Sequence, residues 1–178
     1  ILYNYPMSGN CYKVRLLLSM LGVDYENVLV DLRANEEKQP KYMQLNPLGM
    51  IPILEDGKVV IRDSQAILVY IARRYDTSAK WLPDDPVGMA EVMQWLSFAA
   101  NEIMHSITLS RGIVRMNRPG NLDDSQARAR KVLGILNDRL RNNDWLVGDR
   151  VTIAEMACYP YVSVAHEAGI SVEEYDAV

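Results

Sequence analysis

Residues 5–23, YPMSGNCYKVRLLLSMLGV, carry the reading on which the rest depends. A polar turn, Ser8-Gly9-Asn10-Cys11, runs into apolar positions Val14, Leu17, Leu18 and Leu21. Their i, i+3, i+4, i+7 spacing is one face of a helix. Gly22 is placed to end it. Serine and asparagine before a helix are good caps, because their oxygens accept from amides that the first turn leaves unpaired. The same amides and the positive helix end also suit an anion. The turn therefore has two readings, a cap and an anion holder.

Working outward, ILYNYP before the turn reads as a strand over residues 1–5, and no targeting pattern is legible there. Tyr25 to Val30 reads as a second strand. Ile51–Leu54 and Val59–Ile61 flank Asp56-Gly57, the residue pair that tight hairpin turns favour. Asp63-Ser64 opens a helix with Ile67, Leu68, Ile71 and Tyr75 on one face. Residues 77–86, TSAKWLPDDP, read as a linker. Beyond it only helical patterns follow: 87–115, 123–141, and one beginning at Thr152, where Thr152-Ile-Ala-Glu155 fits a capping box. The expected organisation is an α/β domain over 1–76, a linker over 77–86 and an all-α domain over 87–178. The helical pattern stops at AGISVEEYDAV (residues 168–178) and is expected to continue in a longer chain.

Bulk composition narrows the class. The chain has 178 residues, 49% hydrophobic and 24% charged, as globular proteins do. A net charge of −4 gives no global attraction to nucleic acid or anionic lipid. No apolar run approaches the roughly 18 residues a membrane helix needs. Two cysteines, Cys11 and Cys158, are too few for a disulfide framework, which points to a reducing, cytoplasmic setting. His105 and His166 form no metal-ligand spacing with them.

Four local patterns occur in order: SGNCYKVRLLL after the first strand, NPLGMIPIL, the DSQAI helix start, and LVGDRVTIAEMACYPYV. Together they resemble the cytosolic glutathione transferases over nearly the whole chain. Ser8, Asn10 and Lys13 are similar to the T/S-x-N-x-x-K pattern of bacterial nu-like members, and Ser8-x-x-Cys11 to the S-x-x-C of theta and delta classes. The resemblance implies a thioredoxin-like first domain, an all-helical second domain and a homodimer, with glutathione as co-substrate and no metal.

The resemblance also implies site roles. Ser8 is expected to stabilise the glutathione thiolate, with Asn10, or the amide of residue 10 or 11, as a second donor. The Ile51-Pro52 bond is expected to be cis, exposing the Ile51 N–H and C=O to the cysteinyl backbone of glutathione. Lys38 and Gln39 are candidates for its glycyl carboxylate. Ser64 and the opening amides of its helix are expected to take the γ-glutamyl carboxylate, and Asp63 to balance the ammonium. Many relatives carry Lys or Gln where Met50 stands. Cys11 is expected to be an inert buried residue rather than a mixed-disulfide former.

Met104, Thr108 and Arg111 are candidates for an electrophile pocket, Arg111 attracting an anionic substrate, against the simpler reading of core and solvated face. The expected reaction is attack of the thiolate on a small apolar electrophile. Glutathione-dependent disulfide reduction and a non-catalytic binding or interaction module are the alternatives.

Overall fold

The computed structural model describes residues 1–178, which divide into two compact units, Ile1–Ala79 and Lys80–Val178. The first contains β1 (Leu2–Asn4), α1 (Gly9–Met20), β2 (Asn27–Leu29), α2 (Pro40–Leu45), β3 (Ile53–Asp56), β4 (Val59–Arg62) and α3 (Ser64–Tyr75). The strands form one mixed sheet in the order β2-β1-β3-β4. β2 runs parallel to β1, whereas β3 and β4 are antiparallel to their neighbours. This is the expected β-α-β, loop, β-β-α arrangement. α2, with Pro40 at its start, is an addition: six residues carry too little periodicity to be read.

The apolar face read on α1 is the buried one: Val14, Leu17 and Leu18 lie in the core with Cys11. Past Leu21 the helix ends where Gly22 takes φ +64°, and Val23 N–H bonds back to Leu18 C=O at 2.9 Å. A left-handed residue followed by a bond to the carbonyl five back is the usual glycine stop. On α3, Ile67, Leu68 and Ile71 are buried. Tyr75, read on that face, is instead exposed, and its hydroxyl donates to Asp56 Oδ2 at 2.6 Å, as Tyr70's does at 2.8 Å. The hairpin tip is thereby tied to α3, with Gly57 at φ +61° making the turn.

The second unit is entirely helical: α4 (Pro86–Phe98), a π-helical segment (Ala99–Thr108), α5 (Leu109–Met116), α6 (Leu122–Leu140) and α7 (Ile153–Val162). The 87–115 pattern is thus one run whose middle is wound with i→i+5 rather than i→i+4 bonds. Within 77–86, Lys80 onward belongs to this unit; Trp81 and Leu82 are buried, and Trp81 C=O accepts from Ile153 N–H at 2.9 Å. α6 buries Ala129, Val132, Leu133 and Leu136 as expected. At α7 the capping box forms: Thr152 Oγ1 accepts from Ala154 N–H, and Glu155 Oε2 from Thr152 N–H at 2.7 Å. The other Glu155 oxygen accepts from Leu146 N–H at 2.7 Å, fixing the α6–α7 connection.

Candidate functional site

Sheet register gathers the candidate segments of the first unit. Tyr3 pairs with Ile53 in antiparallel β1 and β3, so the exit of β1 toward Ser8 lies beside Pro52, the approach to β3. Ile53 in turn pairs with Arg62, bringing Asp63-Ser64 to the same end of the sheet. β2, parallel to β1 with Asn4 opposite Leu29, leaves the sheet there too and leads toward Lys38 and Gln39.

At the β1–α1 turn, Ser8 is the N-cap of α1, and its Oγ accepts from Cys11 N–H at 3.3 Å. A hydroxyl has one proton and two acceptor lone pairs. The cap uses a lone pair and leaves the hydroxyl proton over, so capping does not exclude the anion-holding reading of this turn. The cap does take the residue 11 amide, which removes it as a donor to sulfur; residue 10's remains. No acidic side chain in the first turn of α1 offsets its positive end. The Asn10 Oδ1 is buried without a hydrogen-bond partner.

Cys11 is fully buried, and that burial pushes its thiol pKa up despite opposing contributions from Ser8, the Tyr5 backbone and Arg15. A raised thiol has little thiolate at neutral pH. Three phenols of the unit are also committed elsewhere. Tyr3 donates to the Glu55 carboxylate and is pushed up to about 12, chiefly by that bond. Tyr70 and Tyr75, both raised by their bonds to Asp56, hold the hairpin.

The Ile51-Pro52 bond is cis. Met50 is exposed. The Lys38 Nζ, a candidate carboxylate ligand, donates to Gly49 C=O at 2.9 Å, so it already braces this loop while keeping further N–H donors. Gln39 is exposed at the start of α2, where its side chain makes no capping bond.

The start of α3 corrects one expectation. Asp63 Oδ1 accepts from the amides of Gln65 and Ala66 at 2.9 and 3.0 Å. Those amides are therefore closed to an incoming carboxylate unless Asp63 moves. The buried Ser64 retains its hydroxyl and its own N–H for that role. Asp63 holds φ +96°, a region non-glycine residues rarely adopt and one met disproportionately at binding sites.

In the helical unit, Met104 is half-buried, and Thr108 is buried with its Oγ1 unpartnered. Their expected α-helical spacing falls in the π-wound segment, where that periodicity does not hold. Arg111 is buried rather than on a solvated face, and its Nε donates to Glu167 Oε2 at 2.6 Å. Its charge is thus answered inside the unit, and an anionic substrate would compete with Glu167. His105 is exposed. Sequence reading missed Glu167, 56 residues from its partner, and the loop contacts of Lys38.

Comparison with known proteins decides the family. The glutathione S-transferase N-terminal domain model matches residues 1–73, and the C-terminal domain model residues 103–178. Glutathione S-transferase 1 of Triticum aestivum is 32% identical, over 89% of this chain and 76% of its own length. The chain belongs to the glutathione S-transferase family. A possible glutathione S-transferase from Rhodopseudomonas palustris superposes with a TM-score of 0.91 at 30% identity, over 99% of this chain and 88% of that one. A transferase homologue from Lodderomyces elongisporus, solved with two glutathiones per subunit, gives 0.88 at 26% identity, over 99% and 88%. The thioredoxin-like and helical parts expected of a transferase are those described above.

Proposed function

We propose that this transferase binds glutathione at the sheet end described above and conjugates its thiolate to small apolar electrophiles. The observation that carries the reading is the register that brings Ser8, the Ile51-Pro52 peptide and Asp63-Ser64 to one edge. Free thiol has a pKa of about 8.5, and lowering it by about two units requires roughly 2.7 kcal/mol. A hydrogen bond to a charged group supplies about 1.5–3 kcal/mol. An uncompensated helix end adds about 0.3–1 kcal/mol. The Ser8 hydroxyl and the start of α1 are together sufficient, with Asn10 as a further donor and no general base required.

The thiolate attacks the electrophilic atom, forms the carbon–sulfur bond and expels the leaving group. The remaining tripeptide is held at three places. Ile51 N–H and C=O pair with the cysteinyl backbone as a strand would. Ser64 Oγ and N–H take the γ-glutamyl carboxylate while Asp63 balances its ammonium. Lys38, with Gln39, meets the glycyl carboxylate. Met104 and Thr108 are the proposed contacts for the electrophile, with Arg111 available only to a substrate that displaces Glu167.

A homodimer in the cytoplasm completes the proposal. An open groove of 620 Å³ between α4 and α6, with Trp95, Phe98 and Ile135 in its walls, offers apolar surface for a second copy. Neither Cys11 nor Cys158 is in a disulfide, which suits a reducing compartment. Glutathione-dependent disulfide reduction is the second reading. It is favoured by the two glutathiones of the Lodderomyces homologue. Titration calorimetry with glutathione, followed by turnover of an activated aryl halide and of a small symmetric disulfide, tests the proposal. Binding with aryl-halide turnover supports conjugation, and disulfide turnover alone supports the second reading. Absence of binding contradicts both and favours a non-catalytic module.

A further inference from the structure

We propose that Asn46 is a positioning residue that locks the 46–50 loop and thereby holds the Ile51 peptide open for glutathione. The inference rests on the glutathione reading above and deepens it.

Asn46 is buried at the C-terminal end of α2, and every polar group it has is used. Its N–H donates to Tyr42 C=O at 2.8 Å, which anchors it to the helix. Its C=O accepts from Gly49 N–H at 2.8 Å. The side chain spans the loop: Oδ1 accepts from Leu48 N–H at 3.1 Å, and Nδ2 donates to Met50 C=O at 2.7 Å. A carboxamide is suited to this, since it presents an acceptor and a donor a short distance apart.

Lys38 Nζ donates to a further loop carbonyl, Gly49 C=O. The packing there is tight. A Cβ on Gly49 would come within 2.7 Å of Lys38 Nζ and 3.0 Å of Met43 Sδ, and Gly49 holds φ +55°. Leu48 N–H, Gly49 N–H, Gly49 C=O and Met50 C=O are thus satisfied internally, up to the peptide before Ile51. Ile51 N–H and C=O take part in none of the turn and loop hydrogen bonds. A backbone donor and acceptor kept unpaired on a rigid loop is a preformed edge for one extended peptide residue. Fixing the loop in advance spares the ligand the cost of ordering it. Met50 leans into solvent, so this loop contributes backbone rather than a side chain at that position.

Asn46→Asp isolates the effect. It keeps the acceptor for Leu48 N–H and turns the donor facing Met50 C=O into a second oxygen. The dissociation constant for glutathione, by calorimetry, is expected to rise at least about fivefold. Turnover at saturating glutathione should stay within about twofold, and the pKa of the bound thiol should not move, because Ser8 is untouched. A merely structural role would lower thermal stability without splitting affinity from turnover. Amide exchange on the unsubstituted protein supplies an independent test should the variant fold poorly. Leu48 and Gly49 amides should exchange slowly with and without glutathione, whereas the Ile51 amide should exchange fast and slow down on binding. Equal affinity in Asn46→Asp, or fast exchange at Leu48 and Gly49, overturns the proposal and leaves the glutathione reading standing. If the unsubstituted protein binds no glutathione, that reading fails and this one with it.

Discussion

Tyr3 and Ile53 face each other across antiparallel β1 and β3. That pairing sets Ser8, at the exit of β1, beside the peptide that precedes β3, and Ile53's second pairing, with Arg62, adds the start of α3. Three short motifs scattered over some fifty residues of sequence become one edge because the central strands have this register. A shift by one residue would turn the strands' core-facing side chains to the other face.

Replacing Ser8 by Ala should lower conjugation turnover at least about tenfold, the rate equivalent of 1.36 kcal/mol. The substitution also removes the cap on Cys11 N–H, a cost of about 1 kcal/mol in stability. Ser8→Thr keeps both the cap and the donor and should retain most turnover. Steady-state rates beside melting curves separate the two effects. Undiminished turnover in Ser8→Ala would transfer the role to Asn10 or the residue 10 amide.

Asp63 caps α3, and the proposal gives it a second task that substitution can separate from the first. Asn caps a helix as well as Asp does. Asp63→Asn should therefore keep α3 capped and lose only the charge offered to the γ-glutamyl ammonium. The glutathione dissociation constant should rise about tenfold, or about 1.4 kcal/mol, with turnover nearly unchanged. Asp63→Ala should add a stability loss of about 1 kcal/mol. Calorimetry showing equal affinity in Asp63→Asn would reduce this residue to its cap.

The Cys11 thiol should be silent in the folded protein. It is fully buried, and burial raises its pKa. A thiol reagent should label it only on unfolding. Cys11→Ala should keep most activity while losing on the order of 1 kcal/mol of packing. Collapse of activity would restore a mixed-disulfide route through Cys11.

The Arg111–Glu167 pair should leave an acid signature. The hydrogen bond from Arg111 holds the Glu167 carboxyl below the ordinary glutamate value. Below that value the unfolded chain binds a proton the folded chain resists, so stability falls with pH. The contribution is fully present above the ordinary value and is lost as pH drops through the folded one. Denaturant midpoints from pH 6 downward should decline more shallowly in Glu167→Gln than in the unsubstituted protein. Parallel declines would show that the pair contributes nothing to acid stability.

Much of the molecule was legible because its signals are local. The face of α1, the Asp56-Gly57 turn and the Thr152/Glu155 capping box each lie within one or two turns of chain. Neither reading of Arg111, electrophile pocket or solvated face, includes its ion pair, because the partner, Glu167, is 56 residues away. The π-wound segment left no signature in composition, since winding is a matter of which carbonyl each amide reaches. Asp63 is legible as a candidate for cap or charge, and only the structure shows the cap, with its Oδ1 on the amides expected to meet the ligand. Asn46 is legible only as part of the NPLGMIPIL pattern, because its four bonds, made at once, are not written in local sequence.

The most direct test of the central claim is thiolate absorbance of glutathione mixed with the protein, followed across pH. The account predicts a bound thiol that ionises about two units below the free value of about 8.5, with the shift diminished in Ser8→Ala. A bound thiol that titrates like free glutathione would contradict it and leave Ser8 a helix cap alone.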